Sequence, residues 1–270
     1  MTEDVIGDIA AAAEAADGAA PLDEATWLTL RHHPERARRW QRRHGFALVI
    51  GDELSLVVHP DGRGRGLGGE LLDAVLAARP GRLEAWSHGD HPAAAALARS
   101  HGFARARELW VMRRPMTEPL PALDVPPGLE IRGYRAGDAA EVLRVNAAAF
   151  AHHPEQGAMD EANLAERMAE PWFDPAGLLL AVEGGQVLGF HWTKQHSSDL
   201  GEVYVVGIDP DAQGRGLGRL LTLAGLHHLA DLDLGEVLLY VESDNDPAIA
   251  VYSRLGFTHA DADTHVRYRR

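Results

Sequence analysis

Two stretches far apart in this chain carry the same text. His59-Pro60-Asp61-Gly62-Arg63-Gly64-Arg65-Gly66-Leu67-Gly68 is matched by Asp209-Pro210-Asp211-Ala212-Gln213-Gly214-Arg215-Gly216-Leu217-Gly218, at a constant offset of 150 positions. A second pair follows in the same order: His91-Pro92-Ala93 leading to Gly102-Phe103, and Asp246-Pro247-Ala248 leading to Gly256-Phe257. Two collinear matches at nearly equal spacing identify a tandem duplication, so the chain must build one kind of compact unit twice. Its 270 residues are enough for two domains with cores of their own. Between Arg113 and Gly128, the residues Pro115, Pro119, Pro121, Pro126 and Pro127 block helix, withhold sheet donors and favour an extended spacer. The expectation is a first domain over 1–114, a linker over 115–128 and a second domain over 129–270.

Short apolar or alternating runs predict strands at Phe46–Ile50, Leu54–Val58, Leu178–Val182, Val187–Trp192, Val203–Ile208 and Val237–Val241. Glu183-Gly184-Gly185-Gln186, between two of these runs, reads as a tight hairpin turn. Apolar residues at helical spacing predict helices over Gly66–Ala78 and Gly216–Ala230. A further helix fits Asp246–Leu255, with Asn245 or Ser243 as its cap and Gly256 as its stop. The alanine-rich start carries Glu3, Asp4, Asp8, Glu14 and Asp17 and no basic residue, so it is expected to be a surface helix and not a secretory signal. Alternating strands and helices predict an α/β (α+β) fold in which helices cover a sheet.

Each repeated glycine motif therefore sits between a strand and a helix. A helix N-terminus exposes unpaired N–H groups and a partial positive charge, and glycines let a phosphate come close to that backbone. Gln213-x-x-Gly216-x-Gly218, with Arg215 and Arg219 nearby, suits a pyrophosphate. The GK[ST] ending of a Lys-bearing nucleotide loop is absent, and Leu221 stands where a dinucleotide GxGxxG would need its third glycine. An ordinary glycine turn would explain one copy; two copies in matching contexts argue against it.

The pattern [Q/R]-x-x-G-x-[G/A], followed about 30 residues on by Asn245-Asp246-Pro247-Ala248-Ile249-Ala250-Val251-Tyr252-Ser253-Arg254-Leu255-Gly256-Phe257, resembles the GCN5-related N-acetyltransferase (GNAT) family. The resemblance covers the second domain almost entirely and the first in its two main motifs. It implies two GNAT domains, each a mixed β-sheet splayed in the middle and flanked by helices, with acetyl-CoA as co-substrate in the split. Cofactor contacts would fall at Val206, Gly207 and Ile208, at Gln213, Gly214, Arg215, Gly216, Leu217, Gly218 and Arg219, and at Asn245, Asp246, Pro247, Ala248, Ile249 and Ala250. In the first domain the same places are Leu56, Val57 and Val58, then Gly64, Arg65, Gly66, Leu67, Gly68 and Gly69. The runs AAAFAHHPEQG, PWFDPAGLLLA, LGFHWTK, GEVYVVGIDP and LLYVESDN are similar to tandem members of the family that acetylate the cysteinyl amine of a cysteine-glucosamine-inositol conjugate.

Amine acetylation needs a base for the amine, oriented donors and an acid for the departing thiolate. Tyr252 can supply the acid, and the matching position of the first domain is Ala98. Glu202, at the start of the strand leading into the cradle, is the chosen base; a lone strand-edge charge is its ordinary alternative, and Asp52 holds its place in the first half. The resemblance suggests substrate contacts at Glu24, Glu155, Lys194, Glu202 and Tyr240. Taken singly, Lys194 reads as a solvated charge and Glu24 as the acidic first turn of a helix. The first domain, with the cradle but not the acid, is expected to bind acetyl-CoA or act as scaffold without turnover.

A formal net charge of −14 argues against nucleic-acid or anionic-membrane partners. The absence of Cys excludes a disulfide scaffold, thiolate metal sites and a Cys acyl carrier, which favours direct attack in a ternary complex. No metal is expected: the pairs His32-His33, His152-His153 and His227-His228 have no ligating spacing. Trp172 and Trp192 read as core or cleft wall. The remaining expectations are a cytoplasmic monomer acting on a small-molecule amine. The alternatives are a GNAT enzyme for an aminoglycoside, a polyamine or a peptide N-terminus, and a non-catalytic acyl-CoA sensor.

Overall fold

The computed structural model describes residues 3–151 and 156–270. The chain divides into two compact units, one comprising residues up to Trp110 together with Ala260–Arg270, the other Val111–His259. The first unit contains α1 (Glu3–Asp17), α2 (Glu24–His32), β1 (Ala37–Arg42), β2 (Gly45–Ile50), β3 (Glu53–Val58), α3 (Leu67–Ala78), β4 (Glu84–Ser87), α4 (Pro92–Ser100) and the start of β5 (Ala104–Pro115). The second contains the end of β5, then β6 (Leu129–Gly133), α5 (Ala139–Ala149), α6 (Glu161–Met168), β7 (Leu178–Glu183), β8 (Gln186–Gln195), β9 (Leu200–Ile208), α7 (Leu217–Ala230), β10 (Glu236–Glu242) and α8 (Asp246–Arg254); it also holds the start of β11 (Thr258–Arg269). The division falls inside β5, ahead of the proline-rich segment, and the chain's last eleven residues belong to the first unit.

In the first unit, β1, β2 and β3 form an antiparallel meander. β4 runs parallel to β3 for two pairs only, Glu53↔Glu84 and Leu54↔Ala85. The end of β11 lies antiparallel on the other side of β4, from Val266↔Ser87 to Arg269↔Glu84. Glu84 is 5% exposed and meets Arg82, Arg267 and Arg269 at 2.5, 2.5 and 2.7 Å. Burial alone would push its carboxyl up, but the Arg82 and Arg269 hydrogen bonds and the Arg267 charge outweigh that and hold it below the ordinary range. The N-terminal helix is more than a surface element, because Ile6, Ile9, Ala10 and Ala13 form an apolar stripe buried against Phe46, Leu48 and Val57. β1 was not expected: its text, ARRWQR, lacks an apolar alternation, but it is an edge strand, where charged side chains are tolerated.

The second unit orders its strands β6-β7-β8-β9-β10, with β5 beside β10. One face packs Phe190, Trp192 and Val205 against Val142 and Val145 of α5. The other packs Ala181 and Leu188 against Leu217 and Leu221 of α7. The turn at Gly184-Gly185 closes the expected hairpin. Asn245 caps α8, its Oδ1 accepting from Ala248 N–H at 3.2 Å.

His191 is fully buried on the α7 side. Its Nδ1–H donates to the Leu221 carbonyl at 2.8 Å, and its ring lies so close to Gly225 that a Cβ there would come within 2.0 Å of it. Burial pushes the imidazole down to about 4, with His228 adding repulsion. The folded chain therefore binds fewer protons here than the unfolded chain, and stability is complete above about pH 6.5 and lost as pH falls toward 4. The shift corresponds to roughly 3 kcal/mol. Urea unfolding should show His191→Asn, whose amide can keep the Leu221 bond, losing less stability than wild type between pH 7 and pH 4.5. Unit membership also predicts that residues 1–114 alone, lacking the strand segment that pairs with β4 and brings Arg267 and Arg269 to Glu84, expose tryptophan and bind a hydrophobic dye, whereas the full chain does not.

Candidate active site

The feature that organises the second unit is a sheet that stops pairing. β9 and β10 run parallel through four pairs, from Glu236↔Leu200 to Leu239↔Val203, yet β9 continues to Ile208 and β10 to Glu242. Beyond Val203, the stretch Val206–Ile208 is hydrogen-bonded on its β8 side, opposite His191, Phe190 and Gly189, while its other side faces the split. The first unit repeats this: Leu56–Val58 pair with β2 but run past the last β4 pair at Leu54.

A bulge shapes the mouth of the split. Trp192 lies opposite Val205 and Thr193 opposite Val203, so Tyr204 is the extra residue on β9. The bulge resets the alternation and keeps Tyr204 beside Trp192, at 5.6 Å between ring centroids. On the near side, Lys194 of β8, Glu202 of β9 and Leu238 of β10 share one row across three strands, and Tyr240, two residues past Leu238, lies on the same face. The Lys194 ammonium stands 4.6 Å from the Trp172 ring centroid and 5.2 Å from that of Tyr204. The Tyr204 hydroxyl is held by Arg167. Glu202 is 5% exposed and hydrogen-bonded to His196 at 2.7 Å, whereas Tyr240 is 43% exposed.

At the end of β9 the glycine motif opens α7. Gly214 and Gly216 both have φ of 77°, a left-handed conformation that favours glycine, and a Cβ on either would point into open space. Gly216 is the N-cap residue, and no side chain caps the helix, so the first-turn N–H groups remain available to an anion. The turn is braced by Asp209, which accepts from Asp211 N–H at 3.0 Å and pairs with Arg144 of α5 at 2.5 Å. Arg215 is engaged with Glu183 at 2.8 Å. α8, bearing Asn245–Ala250 at its start, packs against α7. Further along α8, Tyr252 sets its ring edge-on to Phe257 at 6.0 Å. Burial pushes its phenol up to about 12, so it keeps its proton at neutral pH.

The first unit has the same cradle with different surroundings. A cavity of about 810 Å³ is lined by Leu56, Val57, Val58, Gly64, Gly66, Leu67, Gly68 and Gly69 and continues past Trp86, Ala98 and Tyr268. Arg63, in the place of Gln213, is held by Asp17 through two 2.7 Å bonds. Ala98 sits in an apolar cluster with Leu72 and Phe103, and Asp52 pairs with Arg79 at 2.6 Å.

The structure thus brings Lys194, Glu202 and Tyr240 together in one unit. Glu24 lies in the other, in the first turn of α2 behind its Asp23 cap, and Glu155, with His152 and His153, lies outside the described residues. His227 meets the Pro121 carbonyl and His228 meets Asp174, and no group of three or more metal-ligating side chains occurs among the described residues. Sequence reasoning missed His196, the aromatic walls around Lys194 and the Arg144–Asp209 brace. The available signal was the polar run KQHSSDLGE between two apolar strands, which makes a hairpin turn that returns His196 beside Glu202.

The profile of the acetyltransferase (GNAT) family matches residues 146–257, and an acetyltransferase (GNAT) domain profile matches residues 37–105. This chain belongs to the GNAT acetyltransferase family. It is 71% identical to the mycothiol acetyltransferase of a Nocardioides species, over 98% of this chain and 96% of that protein. It is 50% identical to the mycothiol acetyltransferase of Nocardia farcinica, over 97% of this chain and 92% of that one. Among solved structures, a tandem GNAT protein from the clavulanic acid biosynthesis pathway superposes with a TM-score of 0.71 at 21% identity, covering 100% of this chain and 95% of that one. That likeness extends the fold, two GNAT domains in tandem, across the whole length.

If the first turn of α7 receives the pyrophosphate of acetyl-CoA, Gly216→Val should weaken acetyl-CoA binding at least about tenfold. The side chain would enter the anion's approach and strain a left-handed residue by roughly 1 kcal/mol or more. Titration calorimetry would measure this, with circular dichroism to check folding.

Proposed function

We propose that this chain transfers the acetyl group of acetyl-CoA to the cysteinyl amine of a cysteine-glucosamine-inositol conjugate, the last step of mycothiol biosynthesis, by direct attack in a ternary complex. The observation that carries the reading is the row of Lys194, Glu202 and Tyr240 at the mouth of the split sheet, in the unit that also holds Tyr252. Family membership and the 71% identity to a mycothiol acetyltransferase support the reaction and the acceptor.

Glu202 accepts a proton from the ammonium form of the acceptor, and the freed neutral amine attacks the thioester carbonyl carbon. As the carbon–sulfur bond breaks, the Tyr252 O–H protonates the departing thiolate, and the second proton shed by the nitrogen as it becomes an amide restores the phenol. The open edge of Val206, Gly207 and Ile208 offers backbone groups to the pantetheine arm and thioester oxygen, and the α7 cradle with Asn245–Ala250 of α8 holds the nucleotide end. Lys194, Tyr240 and Glu155 recognise the hydroxyl-rich acceptor, whose hydrogen-bonding groups match a carboxylate, an ammonium and a phenol. With no Cys in the chain, a thiol cannot carry the acyl group.

The first unit takes acetyl-CoA into its 810 Å³ cavity without turnover, since Ala98 supplies no acid and Asp52 is committed to Arg79. The protein works as a cytoplasmic monomer without nucleic-acid, membrane or metal partners. The negative charge supports the first two exclusions, and no helix among the described residues is long and apolar enough to cross a membrane.

A thiol-release assay should show the cysteinyl conjugate preferred over an aminoglycoside and a peptide amine. Glu202→Gln and Tyr252→Phe should each lower kcat by roughly 10²-fold or more, with acetyl-CoA binding kept. Turnover of another amine alone would replace the acceptor, and acetyl-CoA binding without turnover of any amine would make the protein a sensor.

A further inference from the structure

A buried carboxylate that must accept a proton needs a fixed orientation and a partner for the oxygen that does not take it. Glu202 is 5% exposed and lies between β8 and β10, beside the Lys194 stem on one strand and apolar Leu238 on the other. Its Oε2 is 2.7 Å from His196 Nε2, and the His196 side chain is 35% exposed. The backbone holds that imidazole in place: His196 N–H donates to the Leu200 carbonyl at 2.9 Å, and Ser197 Oγ accepts from the N–H groups of Asp199 and Leu200 at 3.2 and 3.1 Å. The β8–β9 turn is therefore a rigid clip that returns a histidine to the carboxylate six residues later.

We infer that His196 is a positioning residue for Glu202, its Nε2–H donating to Oε2 so that the carboxylate stays oriented and its other oxygen receives the acceptor's proton. The inference rests on the reading of Glu202 as the base. The neutral imidazole suffices, provided the proton is on Nε2, and a protonated ring donates equally. The other titratable groups on the same row are Lys194 on β8 and, two residues past Leu238, Tyr240 on β10, and His196 Nε2 is the group that meets Oε2.

The test compares His196→Gln, whose amide nitrogen can reach the place of Nε2, with His196→Asn and His196→Leu, which cannot donate there. Loss of the donor should lower kcat about tenfold to hundredfold, a part of the roughly 10²- to 10⁴-fold that general-base work contributes. The acidic limb of kcat/KM should move to higher pH, because loss of a donor hydrogen bond favours the protonated form of a carboxylate. KM for acetyl-CoA should not change, and His196→Gln should regain most of kcat and the wild-type limb. In a Glu202→Gln background, removing His196 should cost nothing further. A positioning role is overturned if His196→Asn and His196→Leu keep the wild-type kcat and acidic limb while Glu202→Gln is inactive, a result that leaves the base intact. It is also overturned if Glu202→Gln is fully active, which removes the base itself. Should the leucine variant fail to fold, the glutamine and asparagine pair decides, since both are polar amides and only one reaches the carboxylate.

Discussion

A β-sheet that declines to pair carries exposed donors and acceptors through its own middle, and the second unit is arranged around that condition. β9 and β10 are joined for four residue pairs and then part at Val203 and Leu239. Backbone N–H and C=O groups do not stay unpaired when buried, so the split must meet either water or a ligand that presents amides of its own. A pantetheine arm is such a ligand, being an extended chain with amide groups, and the opened strand edge is complementary to it. The same condition explains the glycine motif at the end of β9. A chain that leaves the split there must start a helix at once, and a left-handed Gly216 with no side-chain cap leaves the first-turn N–H groups facing outward, where a pyrophosphate can complete them.

Holding two strands apart requires stiffness nearby, and the bulge at Tyr204 supplies part of it. The extra residue bends β9 and packs into Trp172 and Trp192, while Arg167 ties its hydroxyl. The rings then form walls for the Lys194 ammonium, which keeps the cation in a defined place beside a nearly buried carboxylate. Glu202 in turn has a hydrogen-bond partner on a partly exposed side chain. A carboxylate with no such partner would face the full desolvation cost of its charge. Binding geometry and proton chemistry thus share one structural source, the interrupted ladder and the bulge next to it.

Much of this was legible in the residues. The strand, glycine turn and helix order at 203–230 and 54–78 follows from apolar spacing and is found within a few residues, and the Asn245 cap and Gly256 stop of α8 are where the text puts them. What stayed hidden depends on tertiary context. β1 is an arginine-rich edge strand whose pairing with β2 no periodicity announces. β11 gives its last residues to the first unit, and the guanidinium groups of Arg267 and Arg269 become structural only because Glu84, 183 and 185 positions away, is buried between them. His196 belongs to the same class, since a polar hairpin turn looks solvated until the register of β8 and β9 shows which side chain it returns.

The duplication makes the asymmetry of the two units informative. Both keep the parting strands and the left-handed glycine N-cap, so the same backbone device stands in both halves of the chain. They differ where chemistry would occur: Tyr252 against Ala98, and a buried Glu202 with a histidine partner against a surface Asp52 paired to Arg79. In the first unit a cavity of about 810 Å³ runs along the cradle and past Ala98 to Tyr268. The two units thus agree at the proposed phosphate cradle and differ at the proposed proton-transfer residues, the division expected if recognition of the acyl donor is separable from the proton transfers that use it.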